Sequence, residues 1–135
     1  MATFTAQLSE TEINDVFLTI LCGCVSQGYF SGYGIQLEYD DNHYKQAKEN
    51  LIKARKEKPC LEDVWLQMLV DGNSLKFEDV EGDGEYTRVL TLKDIREKLP
   101  TAPFDNLKAL LDGDGDVTDE DIVLQHILYG ELIFG

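Results

Sequence analysis

The chain has 135 residues, 43% of them apolar, enough for a single domain over residues 1–135 whose core needs no disulfides. Twenty-six acids against twelve bases leave a formal charge of −14, which argues against direct binding of nucleic acid or of an anionic membrane, since both need Lys and Arg. No apolar run approaches the roughly 18 residues of a membrane span, residues 1–10 lack the pattern of a signal peptide, and three cysteines are an odd number for a secreted scaffold, so a reducing, cytoplasmic setting is expected.

The charge is uneven along the chain. Residues 1–42 carry six acids and no base, residues 43–58 carry six bases and two acids, and residues 59–135 carry eighteen acids and six bases. The basic stretch is expected to line the solvated face of a helix and to pair with acids elsewhere.

Ser9-Glu10-Thr11-Glu12 forms a capping box for a first helix, with Ile13, Val16, Phe17, Ile20, Leu21 and Cys24 on one face and Gly28 as its stop. Tyr29 to Gly34 mixes aromatics with glycines and reads as an irregular connection. The alternation of Ile35, Leu37 and Tyr39 predicts a short strand. Asp41 or Asn42 caps a second helix, which turns Tyr44, Ala47, Leu51 and Ile52 inward and Lys45, Lys48, Lys53, Arg55 and Lys56 outward before Pro59 ends it.

Leu61, Val64, Trp65 and Met68 fit a third helix, closed by a turn at Asp71-Gly72-Asn73. Residues 75–80 and 86–90 flank Glu81-Gly-Asp-Gly-Glu85 and predict a β-hairpin, with Gly82 and Gly84 supplying positive φ. A short helix then runs from Thr91 to Leu99, another from Phe104 to Leu111, and a last one starts at Thr118 with Ile122, Gln125, His126 and Tyr129 along it. The sum is an α+β fold, several helices packed on a small antiparallel sheet.

Chemistry-bearing patterns are few. The stretch Asp112-Gly-Asp-Gly-Asp-Val-Thr-Asp-Glu-Asp121 places oxygens at alternate positions, as a calcium loop does, with Asp112, Asp114, Asp116, Thr118 and Asp121 as ligands. Counted from Asp112, Val117 stands where such a loop wants glycine and Val123 where it wants a bidentate acid. Moved by two residues, the pattern resembles a dockerin-type calcium loop over about a dozen residues, with Leu110 in place of the first acidic ligand and no second copy. The plainer alternative is a Gly-rich turn followed by acids drawn to a helix N-terminus.

Cys22, Cys24 and Cys60 with His43 or His126 suggest zinc. Residues two apart on a helix, however, point to different sides. No nucleophile elbow, phosphate loop, metalloprotease motif or dinucleotide fingerprint occurs, and His126 reads as a structural histidine. No catalytic residue and no cofactor are therefore expected.

The ending Leu-Gln-x-x-Leu-Tyr-Gly-Glu-Leu-Ile-Phe-Gly, preceded by an Asp-rich helix start, resembles the ending of a group of small acidic phage and prophage proteins. Residues 8–19 and 75–92 are similar to that group too, while residues 26–70 depart from it. The resemblance implies a viral or mobile-element origin and brings no functional residue. The Leu-Ile-Phe stretch between Gly130 and Gly135 is expected to tuck into the core or complete the sheet.

Charge and origin together suggest a non-enzymatic protein that binds a basic host protein, such as a nucleic-acid-binding effector of host defence, its carboxylates standing in for phosphates as in anti-CRISPR or anti-restriction inhibitors. The expected surface comprises Glu78, Asp79, Glu81, Asp83 and Glu85 of the hairpin and Asp112, Asp114, Asp116, Asp119, Glu120 and Asp121 of the last loop and helix. The alternatives are that these acids only solubilise the fold, a calcium-stabilised module, and a phage structural protein with Tyr29, Phe30 and Tyr33 at an oligomer interface. The sequence leaves the oligomeric state open.

Overall fold

The structure is a computed structural model that describes residues 5–55 and 57–135. In chain order the elements are α1 (Glu10–Ile20), β1 (Ile35–Glu38), α2 (Asp41–Arg55), α3 (Leu61–Val70), β2 (Leu75–Asp79), β3 (Arg88–Leu90), α4 (Leu92–Lys98), α5 (Phe104–Leu111) and α6 (Val117–Tyr129). The strands form one antiparallel sheet in the order β1-β2-β3, and the helices pack around it as an α+β domain. Among the described residues no helix is long and apolar enough to cross a membrane.

The capping box of α1 forms as its sequence predicts: the Ser9 hydroxyl accepts from the Glu12 amide, and the Glu12 carboxylate accepts from the Ser9 amide at 2.9 Å. All six residues expected on its inner face are buried. After Ile20 the helix widens into a π turn over Leu21–Val25, and Gly28 ends the segment in a left-handed conformation. The connection that follows contains a 3₁₀ turn, Ser31–Tyr33.

Three details of the middle differ from expectation. The cap of α2 is Asp40, whose carboxylate accepts from the amides of Asn42 and His43, so the helix starts one residue earlier than Asp41 or Asn42 would allow. Ile52 and Leu61 are exposed, because α2 and α3 meet along a narrower stripe than their apolar residues suggest. Arg55 of the basic stretch pairs with Glu57 and Asp63, while Lys45, Lys48 and Lys53 form no ion pair among the described residues. Lys56 lies outside the described residues.

The hairpin pairs Leu75 with Leu90 and Phe77 with Arg88, and β1 pairs Ile35 with Asp79 and Glu38 with Lys76. That register sets the ends of the sheet apart. The acidic loop between β2 and β3 leaves from the Ile35 end, whereas the lysine-bearing α2 leaves from the Glu38 end.

Two helix ends explain glycines by capping alone. At the end of α5 the Gly113 amide donates to the Leu110 carbonyl and the Asp114 amide to that of Ala109, a Schellman motif that needs the positive φ of Gly113. Asp71-Gly72-Asn73 closes α3 in the same way. Helix α6 is capped by Asp116, in a capping box with Asp119, and not by Thr118. Its buried face is Val123, Leu124, Gln125, Ile127 and Leu128, so Ile122, His126 and Tyr129 lie at the margin.

Candidate functional site

The eleven acids expected to share one surface divide into three groups. Glu81, Asp83 and Glu85 on the hairpin loop, and Asp114 in the turn before α6, are exposed and pair with no cation among the described residues. Glu78, Asp112, Asp116 and Asp119 are engaged at the surface: Glu78 faces Lys76 at 3.6 Å, Asp112 holds Lys108 at 2.6 Å, and Asp116 and Asp119 form the α6 cap. Asp79, Glu120 and Asp121 are buried, which corrects the expectation that they present charge to solvent.

Each buried acid has a structural task or setting. Asp79 follows Leu75 and Phe77 on the inner side of β2, and its carboxylate accepts from the Gly82 amide at 2.9 Å and the Tyr86 amide at 3.4 Å. It is the organiser of the hairpin loop. The requirement at Gly82 is therefore space, since a Cβ there would lie 2.7 Å from the Asp79 carboxylate, whereas Gly84 is the loop glycine with positive φ.

Glu120 lies against Gly23 of the π turn, where a Cβ would collide with its carboxyl group. One of its oxygens, Oε1, is buried without a hydrogen bond. Burial, followed by the nearby charges of Asp116 and Asp119, pushes its carboxyl up to about 6.

Asp121 forms the floor of a cleft of about 420 Å³ between the 3₁₀ turn, the start of α6 and the C-terminal segment. The Tyr33 hydroxyl donates to its Oδ2 at 2.8 Å, and the Gln125 amide donates to its Oδ1 at 2.9 Å. Burial and this hydrogen bond push the Tyr33 phenol up. Among the described residues no cation pairs with Asp121. The buried Gln125 also accepts from the amides of Ile133 and Phe134, both at 2.8 Å, and donates to the Phe134 carbonyl. This clasp tucks the C-terminal segment against the core, beside the sheet and not in it.

Phe134 then stacks on Tyr33 with centroids 4.8 Å apart, and Tyr29 meets Tyr33 edge-on at 5.8 Å. On its other side Phe134 meets Tyr86 of the hairpin loop at 5.3 Å, and Glu81 packs over Gly34, next to Tyr33. The hairpin loop thus touches the cleft's wall at Phe134 through Tyr86, while the start of α6, through Thr118, lines the cleft itself. Sequence reading missed this clasp. Its signal was Gln125, a polar residue in an apolar run, one helical turn beyond Asp121.

The aspartate loop does not converge as a calcium site would. Asp112 turns to Lys108, Asp116 to the α6 amides and Asp121 to Tyr33, and among the described residues no group of three or more His, Cys, Asp or Glu is placed to hold a metal ion. Gly115 is required by packing, since a Cβ there would lie 3.2 Å from the Cα of Leu110. Cys22 is exposed, Cys24 buried and Cys60 exposed. Burial pushes the Cys22 and Cys24 thiols up, and a hydrogen bond to Asp63 does so at Cys60, the reverse of what a nucleophile or zinc ligand needs. His126 Nε2 sits 2.8 Å from the Thr101 hydroxyl, half-buried, and burial lowers its pKa. Phe30 is buried in the protein's own core, which removes it from an oligomer interface.

Comparison with protein-family models, with curated proteins and with solved structures returns no match to this chain.

Proposed function

We propose that this protein is a non-enzymatic binding protein whose acidic hairpin loop engages a basic, nucleic-acid-binding protein, its carboxylates occupying positions that backbone phosphates would take. The single observation that carries the reading is the state of Glu81, Asp83 and Glu85. They are exposed, pair with no cation among the described residues, and share the loop that leaves the sheet at its Ile35 end. A solubilising acid can sit anywhere on a surface, but three uncompensated acids on one organised loop concentrate negative potential where a basic groove can dock. The buried Asp79 fixes the loop's shape, so the three carboxylates are held in place before binding.

The phage resemblance adds a biological setting, that of a mobile element's inhibitor acting on a host nuclease. The test is competition. A basic DNA-binding nuclease should co-elute with the protein on a sizing column at low salt, separate at high salt, and lose the protein when duplex DNA is added. Co-elution that survives high salt or excess DNA would place the contact on apolar surface and end the mimic reading.

A further inference from the structure

We propose that the cleft over Asp121 is a receptor for a single arginine side chain of the basic partner, a deepening of the reading above on which it rests. Its floor is a carboxylate that is 5% exposed and has no cationic partner among the described residues. A buried carboxylate in this state is costly, and the Tyr33 hydroxyl and Gln125 amide offset its charge only as dipoles. Each of those donors occupies one lone pair of one oxygen, so both oxygens keep acceptor capacity.

The walls suit the planar cation as well as the floor does. Tyr29, Tyr33 and Phe134 line the same cleft as the carboxylate, and aromatic surface attracts a guanidinium through the ring quadrupole. The same aromatic cluster already holds one guanidinium from its own chain: Arg88 lies 5.0 Å from the centre of the Tyr129 ring, and Tyr129 meets Phe134 at 6.1 Å. Arginine is favoured over lysine because its flat, weakly hydrated head stacks on rings and donates in a fork. At about 420 Å³ the cleft has room for a guanidinium and its alkyl stem. The acidic loop beside it raises the local concentration of any basic partner.

The test uses N-acetyl-L-arginine amide as the probe and its neutral isostere, N-acetyl-L-citrulline amide, in amide-resolved NMR titrations of the intact protein. The expected result is saturable shifts at Gly32, Tyr33, Phe134 and Gly135, with the citrulline compound at least about tenfold weaker. Tyr29→Leu, at a half-exposed wall position, should weaken the arginine probe about threefold to fivefold while the melting temperature holds. Asp121→Asn should remove the preference for arginine over citrulline, and any loss of stability in that variant leaves the Tyr29→Leu result standing.

Equal binding of the two probes, shifts confined to residues 81–85, or no shift with either probe would overturn the assignment. The triple change E81Q/D83N/E85Q separates the two readings. The arginine probe should stay within about twofold of wild type there, since none of the three side chains lines the cleft. A basic partner that is lost in the triple variant while the probe never enters the cleft would refute this inference alone. A probe seated in the cleft of a protein that binds no basic partner would refute the surface reading alone.

Discussion

Residues 78–85 and residues 112–121 are nearly alike as sequence: five acids in eight positions against six in ten, each interleaved with glycine. The fold uses them in opposite ways. The first keeps Glu81, Asp83 and Glu85 in solvent and buries one acid, Asp79, to shape the loop that carries them. The second spends Asp116 and Asp119 on a helix cap, buries Glu120 and Asp121, and leaves Asp114 as its free exposed acid. Acidic composition is therefore a poor guide to acidic surface. What separates the two is periodicity, since strand parity and helical phase decide which acids turn inward.

The largest way to break this contrast is to remove the acid that organises the hairpin. Asp79→Ala leaves the Gly82 and Tyr86 amides without their acceptor, and we expect a loss of about 2–3 kcal/mol in chemical denaturation. A loss below about 0.5 kcal/mol would show that the loop holds its shape without it.

Gly84→Val comes next, at about 1–2 kcal/mol, because a β-branched residue must adopt φ near +82°. Gly84→Asn should recover part of that loss, since Asn tolerates the left-handed region. Equal melting of the valine and asparagine variants would mean that the loop relaxes around the substitution.

Glu120→Gln changes stability in the other direction. The folded carboxyl titrates at about 6 against an ordinary 4.5, so between those values the folded state binds the proton more tightly than the unfolded one. Ionising Glu120 therefore costs stability as pH rises through that window, and the cost is complete above it. The variant should be more stable than wild type by about 1–2 kcal/mol at pH 8, and the difference should vanish below about pH 4.5. A difference that does not change with pH would assign the effect to packing.

Calcium should have the smallest effect. A site with a dissociation constant of about 10 μM would add roughly 2.7 kcal/mol at about 1 mM ion. The Schellman motif at Gly113 and the Asp116 cap already satisfy the loop's backbone, so melting curves in calcium and in chelator should coincide. A shift reversed by chelator and abolished by Asp114→Ala would promote the calcium reading.

Much of this contrast was legible before the structure. The capping box at Ser9, the six inward residues of α1, the hairpin and the ends of α4 and α5 follow from local rules, and each stands where those rules place it. Asp79 could have been placed inside by continuing the alternation of Leu75 and Phe77, and Glu120 by counting back one turn from Val123 and Leu124. Charge alone argues for the surface at both positions, and phase prevails over it. The cleft was not legible at all. It needs Tyr33, Asp121 and Phe134 to meet across 88 and 13 residues of chain, and no local pattern encodes that meeting. The π turn at Leu21–Val25 was equally hidden, and there the Glu120 carboxyl, 97 residues on, occupies the space that Gly23 leaves.

The central claim is that the exposed hairpin acids draw in the basic partner, whereas the acids of residues 112–120 serve the fold. Its most direct test is the association rate with a basic DNA-binding nuclease, measured by stopped flow for wild type and E81Q/D83N/E85Q. We predict a rate about tenfold lower for the triple variant, a shallower salt dependence, and a melting temperature within about 1 °C of wild type. An unchanged association rate, or a loss of binding that tracks a loss of stability, would contradict the division of labour between the two acidic segments.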